Sequence, residues 1–422
     1  MDNLIKNRQY YKFCFYGFLK NLRFFDAFFI LFLLEKGLSF TQIGALYAIR
    51  EIVINISEIP SGIVADTYGR KRALLLSFLL YIVSFAVFYL SAGFWLFLIA
   101  FVFYGIGDAF RSGTHKGMIM DYLRLNQWEG QKIAYYGHTR SWSQVGSAIS
   151  SLIAGLIVFY SGSYQSIFLF SIIPYLVNLL LIASYPGELN VSPGQENNRI
   201  RSGIRSGIRS TSLHFSGIIR QAKVLESVNA SAIHTAYLRA VKDYIQPLMV
   251  HVAMLIPILL KFETEKKNGL IIGLVYFLIY LLTSRASQLS SKVGTKNKMR
   301  VSYLTLLTGF VFGILSGTLY LKEFWIFSLL AFTGIYIVEN LRKPILTGFI
   351  ADQVPNEILT SVISAQSFIR TVMTAMLALV FGIVADACGI GISFLVVSLL
   401  LTLVTIFIHT YARKYKKRSL IQ

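Results

Sequence analysis

The chain has 422 residues, of which 55% are hydrophobic and only 14% are charged. A soluble domain of average composition carries about 25% charged residues, so this composition argues against a soluble enzyme or a soluble binding domain. The formal net charge of +20 would suit nucleic-acid binding, but the basic residues lie between apolar segments, where they indicate membrane topology.

Apolar runs of membrane-crossing length recur along the whole chain. A bilayer core needs about 20 mostly apolar residues per helix, and the run from Ala73 to Leu90 is one such segment. In chain order we predict twelve spans, at residues 13–34, 41–65, 73–91, 93–120, 139–160, 163–185, 244–262, 268–290, 301–320, 324–346, 361–385 and 389–410. The sequence therefore predicts an all-α, multi-pass membrane protein whose surroundings are the lipid bilayer.

Basic residues concentrate in alternate connections between these spans. They include Lys6, Arg8, Lys12, Arg70, Lys71, Arg72, Arg124, Lys132, Lys292, Lys296, Lys298 and Arg300, together with the tail after Arg413. Because positive residues stay on the cytoplasmic side during insertion, we expect both termini to be cytoplasmic, in the inner or plasma membrane. The basic excess then requires no nucleic acid as a partner.

The stretch 187–243 is the long polar region of the sequence, and it contains the basic repeat "IRSGIRSGIRS" at residues 200–210. We interpret it as a flexible cytoplasmic linker, with lipid-headgroup contact or regulation as the alternative. The linker separates an N-terminal six-helix bundle at 1–186 from a C-terminal six-helix bundle at 244–422. Chains built from two such halves place the substrate site where the halves meet, near the bilayer midplane.

Charged residues inside the spans follow a pattern. Spans 3, 6 and 9 contain no Asp, Glu, Lys or Arg in their interiors, whereas spans 1, 2, 4, 5, 10 and 11 do. Charge within the membrane is costly unless it faces a wet cavity or a partner. We therefore expect the charged spans to line a central cavity and the uncharged spans to face lipid.

The segment "GIVADTYGRKR", from Gly62 to Arg72, lies between spans 2 and 3. It resembles the signature loop G-x-x-x-D-x-x-G-R-[KR]-[KR] of the major facilitator superfamily. The fixed positions of that signature are occupied by Gly62, Asp66, Gly69, Arg70 and Lys71. Together with the span count, the linker and the uncharged third helices, this resemblance implies the fold of that family, with twelve helices in two six-helix bundles.

The resemblance also implies a gate. In this family the acid at the position of Asp66 is thought to cap the N-terminus of span 11, and Arg70 is placed to pair with Asp121 at the end of span 4. Gly62 and Gly69 permit close helix packing and a tight turn. We expect these residues to hold the cytoplasmic side closed while the outer side is open.

Three spans carry arginine and acidic residues at helical spacing. These candidate cavity residues are Arg23 and Asp26 in span 1, Arg50, Glu51 and Glu58 in span 2, and Asp108, Arg111 and His115 in span 4. A rise of about 1.5 Å per residue places Arg111 about 15 Å from Asp121, near the midplane. We expect the three arginines to approach one another, either in structural ion pairs or in a site for substrate binding and proton coupling.

Inside the spans, the basic residues outnumber the acidic ones. The additional basic residues are Lys20, Arg140 and Arg370. In the second half of the chain, His251, Glu339 and Arg342 form a sparser set of charged candidates. The surplus favours an anionic or zwitterionic substrate. An acid that exchanges an arginine for a proton is typical of a proton-coupled carrier, and Asp26, Glu51, Glu58 and Asp108 are the candidates.

These observations predict a monomeric secondary transporter that moves a small organic solute by alternating access, without a cofactor. There is no G-x-x-x-x-G-K-[ST] segment for ATP, and Cys14 and Cys388 are too isolated to indicate a metal or a disulfide framework. Two alternatives stay open. A multidrug-type proton antiporter is one, although Phe101 stands where many such members carry arginine and span 5 lacks their proline motif. A non-transporting membrane receptor or regulator is the other.

Overall fold

The computed structural model describes residues 5–190, 222–257, 261–293, 298–353 and 356–418. Every regular element within these ranges is helical. The chain forms two compact units, and the two predicted bundles stay a prediction. The first unit comprises Met1–Leu38, Ile49–Ile204 and Ile256–Tyr280, and the second comprises Ser39–Ala48, Arg205–Leu255 and Leu281–Gln422.

The helices of the first half of the chain are α1 (Arg8–Leu19), α2 (Phe29–Glu35), α3 (Phe40–Tyr68), α4 (Arg70–Leu90), α5 (Phe94–Arg111), α6 (Thr114–Leu125), α7 (Lys132–Ser161) and α8 (Ser166–Ala183). Those of the second half are α9 (Ala222–Val241), α10 (Ile245–Met254), α11 (Thr264–Val293), α12 (Lys298–Leu321), α13 (Trp325–Gln353), α14 (Asn356–Cys388) and α15 (Ile390–Arg418). The start of α3 lies in the second unit, and the first half of α11 lies in the first unit.

Eight helical segments of the described residues are long and apolar enough to cross a membrane. They correspond to predicted spans 3, 4, 5, 6, 8, 9, 11 and 12, which confirms the prediction of an all-helical, multi-pass membrane protein. Of the remaining four predicted spans, the first and seventh are broken helices, the second carries Arg50, Glu51 and Glu58 in its interior, and the tenth coincides with α13. The count of twelve stays a prediction.

Span 1 is not one continuous helix. Helix α1 ends at Leu19, a 3-10 turn occupies Phe24–Ala27, and α2 starts at Phe29. Span 4 is interrupted as well, because α5 ends at Arg111 and Gly113 adopts a φ of 77° before α6 begins. Both interruptions fall beside charged candidate residues, so irregular backbone in this membrane protein coincides with the polar site, as expected where backbone lines a cavity.

Span 7 begins earlier than the sequence predicts. Helix α9 starts at Ala222, inside the stretch expected to be linker, and Ile233, Tyr237 and Val241 are fully buried. The polar residues of this helix lower its hydropathy, which is why the sequence places the start of the span near 244. The repeat at 200–210 lies outside the described residues.

Close backbone approach fixes α1 against α7. A Cβ atom on Gly146 would lie 2.5 Å from the carbonyl oxygen of Phe18, and one on Gly17 would lie 2.8 Å from the hydroxyl of Ser143. Any larger side chain at these positions would push the helices apart. This contact positions Lys20 and the break after α1 beside the charged stretch of α7.

Candidate functional site

Asp108 and Arg111 form an ion pair at the end of α5. Nη2 of Arg111 lies 2.5 Å from Oδ1 of Asp108. The phenol of Tyr81, from α4, donates to the same carboxylate oxygen at 2.5 Å and accepts a hydrogen bond from Nε of Arg111 at 2.9 Å. Arg111 lies in the last turn of α5, where the helix dipole favours a cation. The three side chains therefore form one hydrogen-bonded cluster.

Arg23 lies at the break in span 1 and reaches the same cluster. Its Nη1 donates to the hydroxyl of Tyr104 at 3.0 Å and lies 3.9 Å from Oδ2 of Asp26. The ring of Tyr104 packs against that of Tyr81 with centroids 5.1 Å apart, which places Arg23 beside the Asp108 cluster. The prediction placed Arg23 and Asp26 on one helical face, whereas the structure holds them in the non-helical connection and its 3-10 turn.

A small polar cavity opens beside Arg23 and Asp26. Besides these two residues its walls include Asn21 of the break, Ser147 and Ser150 of α7, and tyrosines of α11. Its lining residues are Asn21, Arg23, Asp26, Ala27, Ser147, Ser150, Ser151, Tyr276 and Tyr280. The cavity offers hydroxyl, amide, cationic and anionic groups together, which suits a small polar solute.

Arg50 is paired separately from this cluster. Its Nη2 lies 3.0 Å from Oε1 of Glu51, and both side chains are largely buried in α3. A Cβ atom on Gly105 would lie 3.2 Å from the carbonyl oxygen of Arg50, so α3 and α5 touch here. Glu58, two turns further along α3, is exposed and makes no ion pair with the described residues. The structure thus brings Arg23 and Arg111 together and assigns Arg50 to a neighbouring pair.

His115 lies in α6, packed among aromatic rings. Its ring stacks on that of Tyr16 with centroids 3.6 Å apart, and its Nε2 is 3.4 Å from the hydroxyl of Tyr185. Nζ of Lys20 also lies over the ring of Tyr16, 5.6 Å from the ring centroid. The histidine is therefore joined to the charged break of span 1 through an aromatic wall.

Tyrosines are the functional residues that sequence reasoning missed. Tyr81 lies in uncharged span 3, which was expected to face lipid, yet its side chain is 1% exposed and lies in the Asp108 cluster. The opposite face of α4, where Leu79 and Val83 are exposed, matches the expectation that this span faces lipid. A tyrosine within an otherwise apolar span was the available signal, because its hydroxyl needs a hydrogen-bond partner when buried.

The segment 62–72, here called the gating segment, contains the expected ion pair with Asp121. Nη1 of Arg70 lies 2.6 Å from Oδ2 of Asp121, and a Cβ atom on Gly117 would lie only 2.3 Å from Nη1 of Arg70. Asp66 is exposed, and its cap on span 11 stays a prediction. A Cβ atom on Gly62 would meet nothing within 4 Å, so the close packing expected there is absent among the described residues.

Gly69 does provide the tight turn. It adopts a φ of 96° directly before α4, a conformation that favours glycine. A Cβ atom there would lie 2.4 Å from Oδ1 of Asn190, which accepts a hydrogen bond from the backbone N–H of Arg72 at 3.3 Å. Asn190 thus caps the start of α4 from a distant part of the sequence.

Two lysines bind the carbonyl end of α8 beside this turn. Nζ of Lys12 donates to the carbonyl oxygen of Ser184 at 2.6 Å, and Nζ of Lys71 donates to that of Tyr185 at 2.7 Å. Cations at a helix C-terminus are favoured by its dipole. Partial burial and the neighbouring charges of Arg8 and Lys71 lower the pKa of Lys12. The fixed basic position Lys71 therefore fastens α8 to the gating segment.

The second half contains a buried polar network of its own. Nδ1 of His234 lies 2.8 Å from Oε2 of Glu339, and the hydroxyl of Thr235 donates to Oε1 at 2.6 Å. Arg342 donates to the hydroxyl of Thr305 at 2.7 Å and to the carbonyl oxygen of Ser302. This network joins α9, α12 and α13 and is buried, and within the described residues Nε2 of His234 has no hydrogen-bond partner.

Comparisons with known proteins agree with this architecture. Residues 15–376 match the family model described as Major Facilitator Superfamily. The chain is 24% identical over 403 residues to the protein named "Uncharacterized MFS-type transporter YxaM" of Bacillus subtilis (strain 168), covering 94% of this chain and 93% of that one.

Solved structures show the same fold at low identity. A POT family transporter in complex with 5-aminolevulinic acid has a TM-score of 0.73 and 14% identity, and the match covers 96% of each chain. The nucleoside transporter NupG has a TM-score of 0.67 and 12% identity, covering 95% of this chain and 96% of its own.

Proposed function

Because the chain belongs to the Major Facilitator Superfamily and is a transporter, we propose that it moves a small organic anion or zwitterion by alternating access. The observation that carries this proposal is the cavity beside Arg23 and Asp26, with Arg111 and Asp108 in the adjoining cluster. A charged cavity deep in a membrane protein marks a substrate or ion pathway. The solved POT family neighbour binds 5-aminolevulinic acid, a solute with one carboxylate and one amine, which supports the same chemical class.

Proton coupling is the second part of the proposal, with Asp26 as the acid that takes the proton. Its separation of 3.9 Å from Arg23 is the longest of the three arginine–acid pairs in these spans, and its side chain is 33% exposed. Asp108, in contrast, is held by both Tyr81 and Arg111. Asp26 is therefore the more exposed carboxylate of the two, and the loss of its negative charge would release Arg23 for a substrate anion.

We also propose the predicted topology, with cytoplasmic termini, bundles at 1–186 and 244–422, and a monomer in the inner or plasma membrane. The distribution of basic residues between spans supports the orientation. The gating segment would then lie on the cytoplasmic side, and the start of α3 on the outer side.

Proton-driven uptake into proteoliposomes tests this function. Wild-type protein should accumulate a carboxylate-bearing solute from a panel that includes 5-aminolevulinic acid when a pH gradient is imposed, and an uncoupler should abolish accumulation. Asp26→Asn should retain exchange of solute across the membrane but lose the response to the gradient. Accumulation that ignores the gradient would reject proton coupling, and flux of neutral solutes alone would reject the anionic class.

A further inference from the structure

The sequence counts five candidate cavity cations in the first unit, and two of them lack the acid partner that the other three have within the described residues. Arg23, Arg50 and Arg111 each lie within 4 Å of a carboxylate, those of Asp26, Glu51 and Asp108 respectively. Lys20 and Arg140 form no ion pair with any residue of the described part of the chain. The surplus charge noted in the sequence is therefore localised at these two side chains.

Lys20 and Arg140 lie on the two helices that pack most closely here. Gly17 and Gly146 bring α1 and α7 into backbone contact. A Cβ atom on Gly17 would lie 2.8 Å from the carbonyl oxygen of Thr139, which directly precedes Arg140, and Lys20 follows Gly17 by about one helical turn. The ammonium group lies over the ring of Tyr16 at 5.6 Å, while the side chain of Arg140 is exposed. Two like charges near each other repel, and an anion between them removes that repulsion.

We propose that Lys20 and Arg140 form an anion-binding site that takes the carboxylate, or an equivalent anionic group, of the transported solute. This site deepens the proposed function and rests on it. The arginines that already hold acids fix the geometry of the cavity, whereas Lys20 and Arg140 retain free donors for the ligand. The aromatic wall of Tyr16 and His115 would contact the apolar part of the solute next to its anionic group.

The rates at which a nearby cysteine reacts with anionic and cationic reagents test this site without knowledge of the solute. Gln144 is exposed and lies one turn after Arg140 on α7, so Gln144→Cys, in a Cys14→Ser/Cys388→Ser background, places a thiol beside the site. The probes are anionic 2-sulfonatoethyl and cationic 2-trimethylammonioethyl methanethiosulfonate. The anionic reagent should react faster, and the anionic-to-cationic rate ratio should fall at least about tenfold in Lys20→Gln/Arg140→Gln, because two nearby charges are lost.

Two controls separate charge from folding. Lys20→Arg keeps the charge and should keep the rate ratio, and Arg124→Gln removes an exposed charge that is paired with Glu129 far from the cavity and should also leave it unchanged. An unchanged ratio in Lys20→Gln/Arg140→Gln would overturn the site. Failure of wild-type protein to transport any carboxylate, with a ratio that still falls, would instead reject the proposed function and leave the anion site standing.

A separate observation concerns the pentapeptide "GIVAD", which occurs twice. Residues 62–66 belong to the gating segment, and residues 382–386 close α14; each copy continues to a glycine three residues after its aspartate, Gly69 and Gly389. The second copy was not singled out from the sequence. Both aspartates lie at helix ends, so the second copy invites comparison with the gating role expected of the first.

Asp386 caps the start of α3. Its Oδ1 accepts from the backbone N–H of Phe40 at 2.8 Å, and its Oδ2 accepts from that of Thr41 at 2.7 Å. A Cβ atom on Gly382 would meet the carbonyl oxygen of Phe40, and one on Gly44 would meet that of Ala378. The two backbones therefore touch, and a carboxylate at a helix N-terminus is favoured by both its hydrogen bonds and the helix dipole.

A second contact fastens the same end of α3 further along. The hydroxyl of Tyr47 donates to Oδ2 of Asp243 at 3.1 Å, and both residues are buried. The rings of Tyr244 and Phe381 pack beside them with centroids 4.3 Å apart. The first turns of α3 are thus held by residues from α14 and from the break in span 7.

We infer that Asp386 is a latch at the end of α3 opposite to Asp66, and that it closes the outer side of the transporter. This inference rests on alternating access. The bonds between Asp386 and the start of α3 must break when the outer side opens, so weakening them should favour the outward-open state. Asp66 and Asp386 would then act on the two ends of one helix, α3, in opposite phases of the cycle.

Accessibility of a buried cysteine tests this latch without measuring transport. Ile43 is fully buried one turn after the cap, so Ile43→Cys in the Cys14→Ser/Cys388→Ser background reports opening. Asp386→Asn should raise its labelling by a membrane-impermeant maleimide added outside at least about tenfold, which is the loss of roughly 1.4 kcal/mol from the closed state. Asp66→Asn is the matched control and should not raise outside labelling.

Unchanged labelling in Asp386→Asn would overturn the latch, and so would an equal rise in Asp66→Asn, because that result indicates general loosening. Asp386→Glu, which keeps a carboxylate, should restore slow labelling at least in part. Transport that fails while labelling behaves as expected would count against the proposed function and not against the latch.

Discussion

Tyr81 and Asp108 lie on different helices and share a hydrogen bond of 2.5 Å from the phenol to the carboxylate. This bond joins α4, a helix without internal charge, to the charged cluster of α5. Because Arg111 contacts both groups, the tyrosine fixes the direction of the ion pair as well as stabilising it.

Tyr81→Phe should reduce flux about tenfold and leave expression near the wild-type level. It removes two hydrogen bonds to charged groups, each a contribution of about 1.5–3 kcal/mol, without removing the ion pair itself. Uptake into proteoliposomes at matched protein density measures the effect. Tyr160→Phe, at a position that is 79% exposed, is the control, and equal flux in both variants would show that Tyr81 does not orient the pair.

Arg111→Ala should abolish flux and lower the folding yield, because it leaves Asp108 as a buried acid without its partner. The double variant Arg111→Ala/Asp108→Ala should recover folding yield, since no unpaired charge remains, but should not recover flux. Size-exclusion profiles and uptake assays on the same preparations separate the two effects. Recovery of flux in the double variant would show that the pair is purely structural.

The gate should behave as a coupled pair. Arg70→Ala and Asp121→Asn should each reduce flux, and their combination should be little worse than either alone, because both remove the same contact. Asp66→Asn should also impair flux while leaving insertion intact. A full double-mutant cycle on initial uptake rates provides the measurement, and additive losses would argue against the Arg70–Asp121 contact as a functional unit.

Gly117→Ala should reproduce the flux defect of Arg70→Ala. Its new methyl group would occupy the position of the Arg70 guanidinium, with 2.3 Å between the Cβ and Nη1, and would displace it from Asp121. Gly137→Ala is the matched control, because a Cβ atom there meets nothing within 4 Å. If Gly117→Ala supports wild-type uptake, the position of Arg70 in the structure is not required for gating.

The buried pair of the second half should matter for folding. Glu339→Ala should lower the free energy of unfolding by about 3–5 kcal/mol, the usual effect of removing one partner of a buried pair, while flux per folded molecule stays near normal. Glu263→Ala removes an exposed partner of Lys266 and should cost less than about 1 kcal/mol. Thermal unfolding in detergent compares the two, and a flux defect in folded Glu339→Ala would move this network into the transport mechanism.

The multi-pass, all-helical character of the chain was predictable from the sequence because long apolar runs are strong one-dimensional signals. Local charge pairs were also accessible: Arg111 and Asp108 are three residues apart on one helix, and the family signature pointed to Arg70 with Asp121. Each of these relations depends on spacing along the chain or on a recognised pattern, so no knowledge of the packed structure was needed.

Contacts between distant segments were not predictable in the same way. Glu339 binds His234, which lies in a stretch assigned to the linker. Tyr81 was overlooked since an uncharged span carries no electrostatic signal, and the break at Phe24–Ala27 lies in a phenylalanine-rich run that reads as continuous helix. Asp386 was missed because a helix end near the membrane surface commonly carries an acid, and only the packed structure shows what it caps.

The most direct test of the central claim is uptake by proteoliposomes of a panel of carboxylate-bearing solutes and their neutral amide analogues, compared between wild-type protein, Arg111→Ala and Asp66→Asn. We expect saturable uptake of at least one carboxylate by the wild type, no comparable uptake of its amide, and loss of that uptake per folded molecule in both variants. Saturable uptake of the amide at the same rate, or wild-type uptake rates in either variant, would contradict an anion carrier that is gated through Asp66.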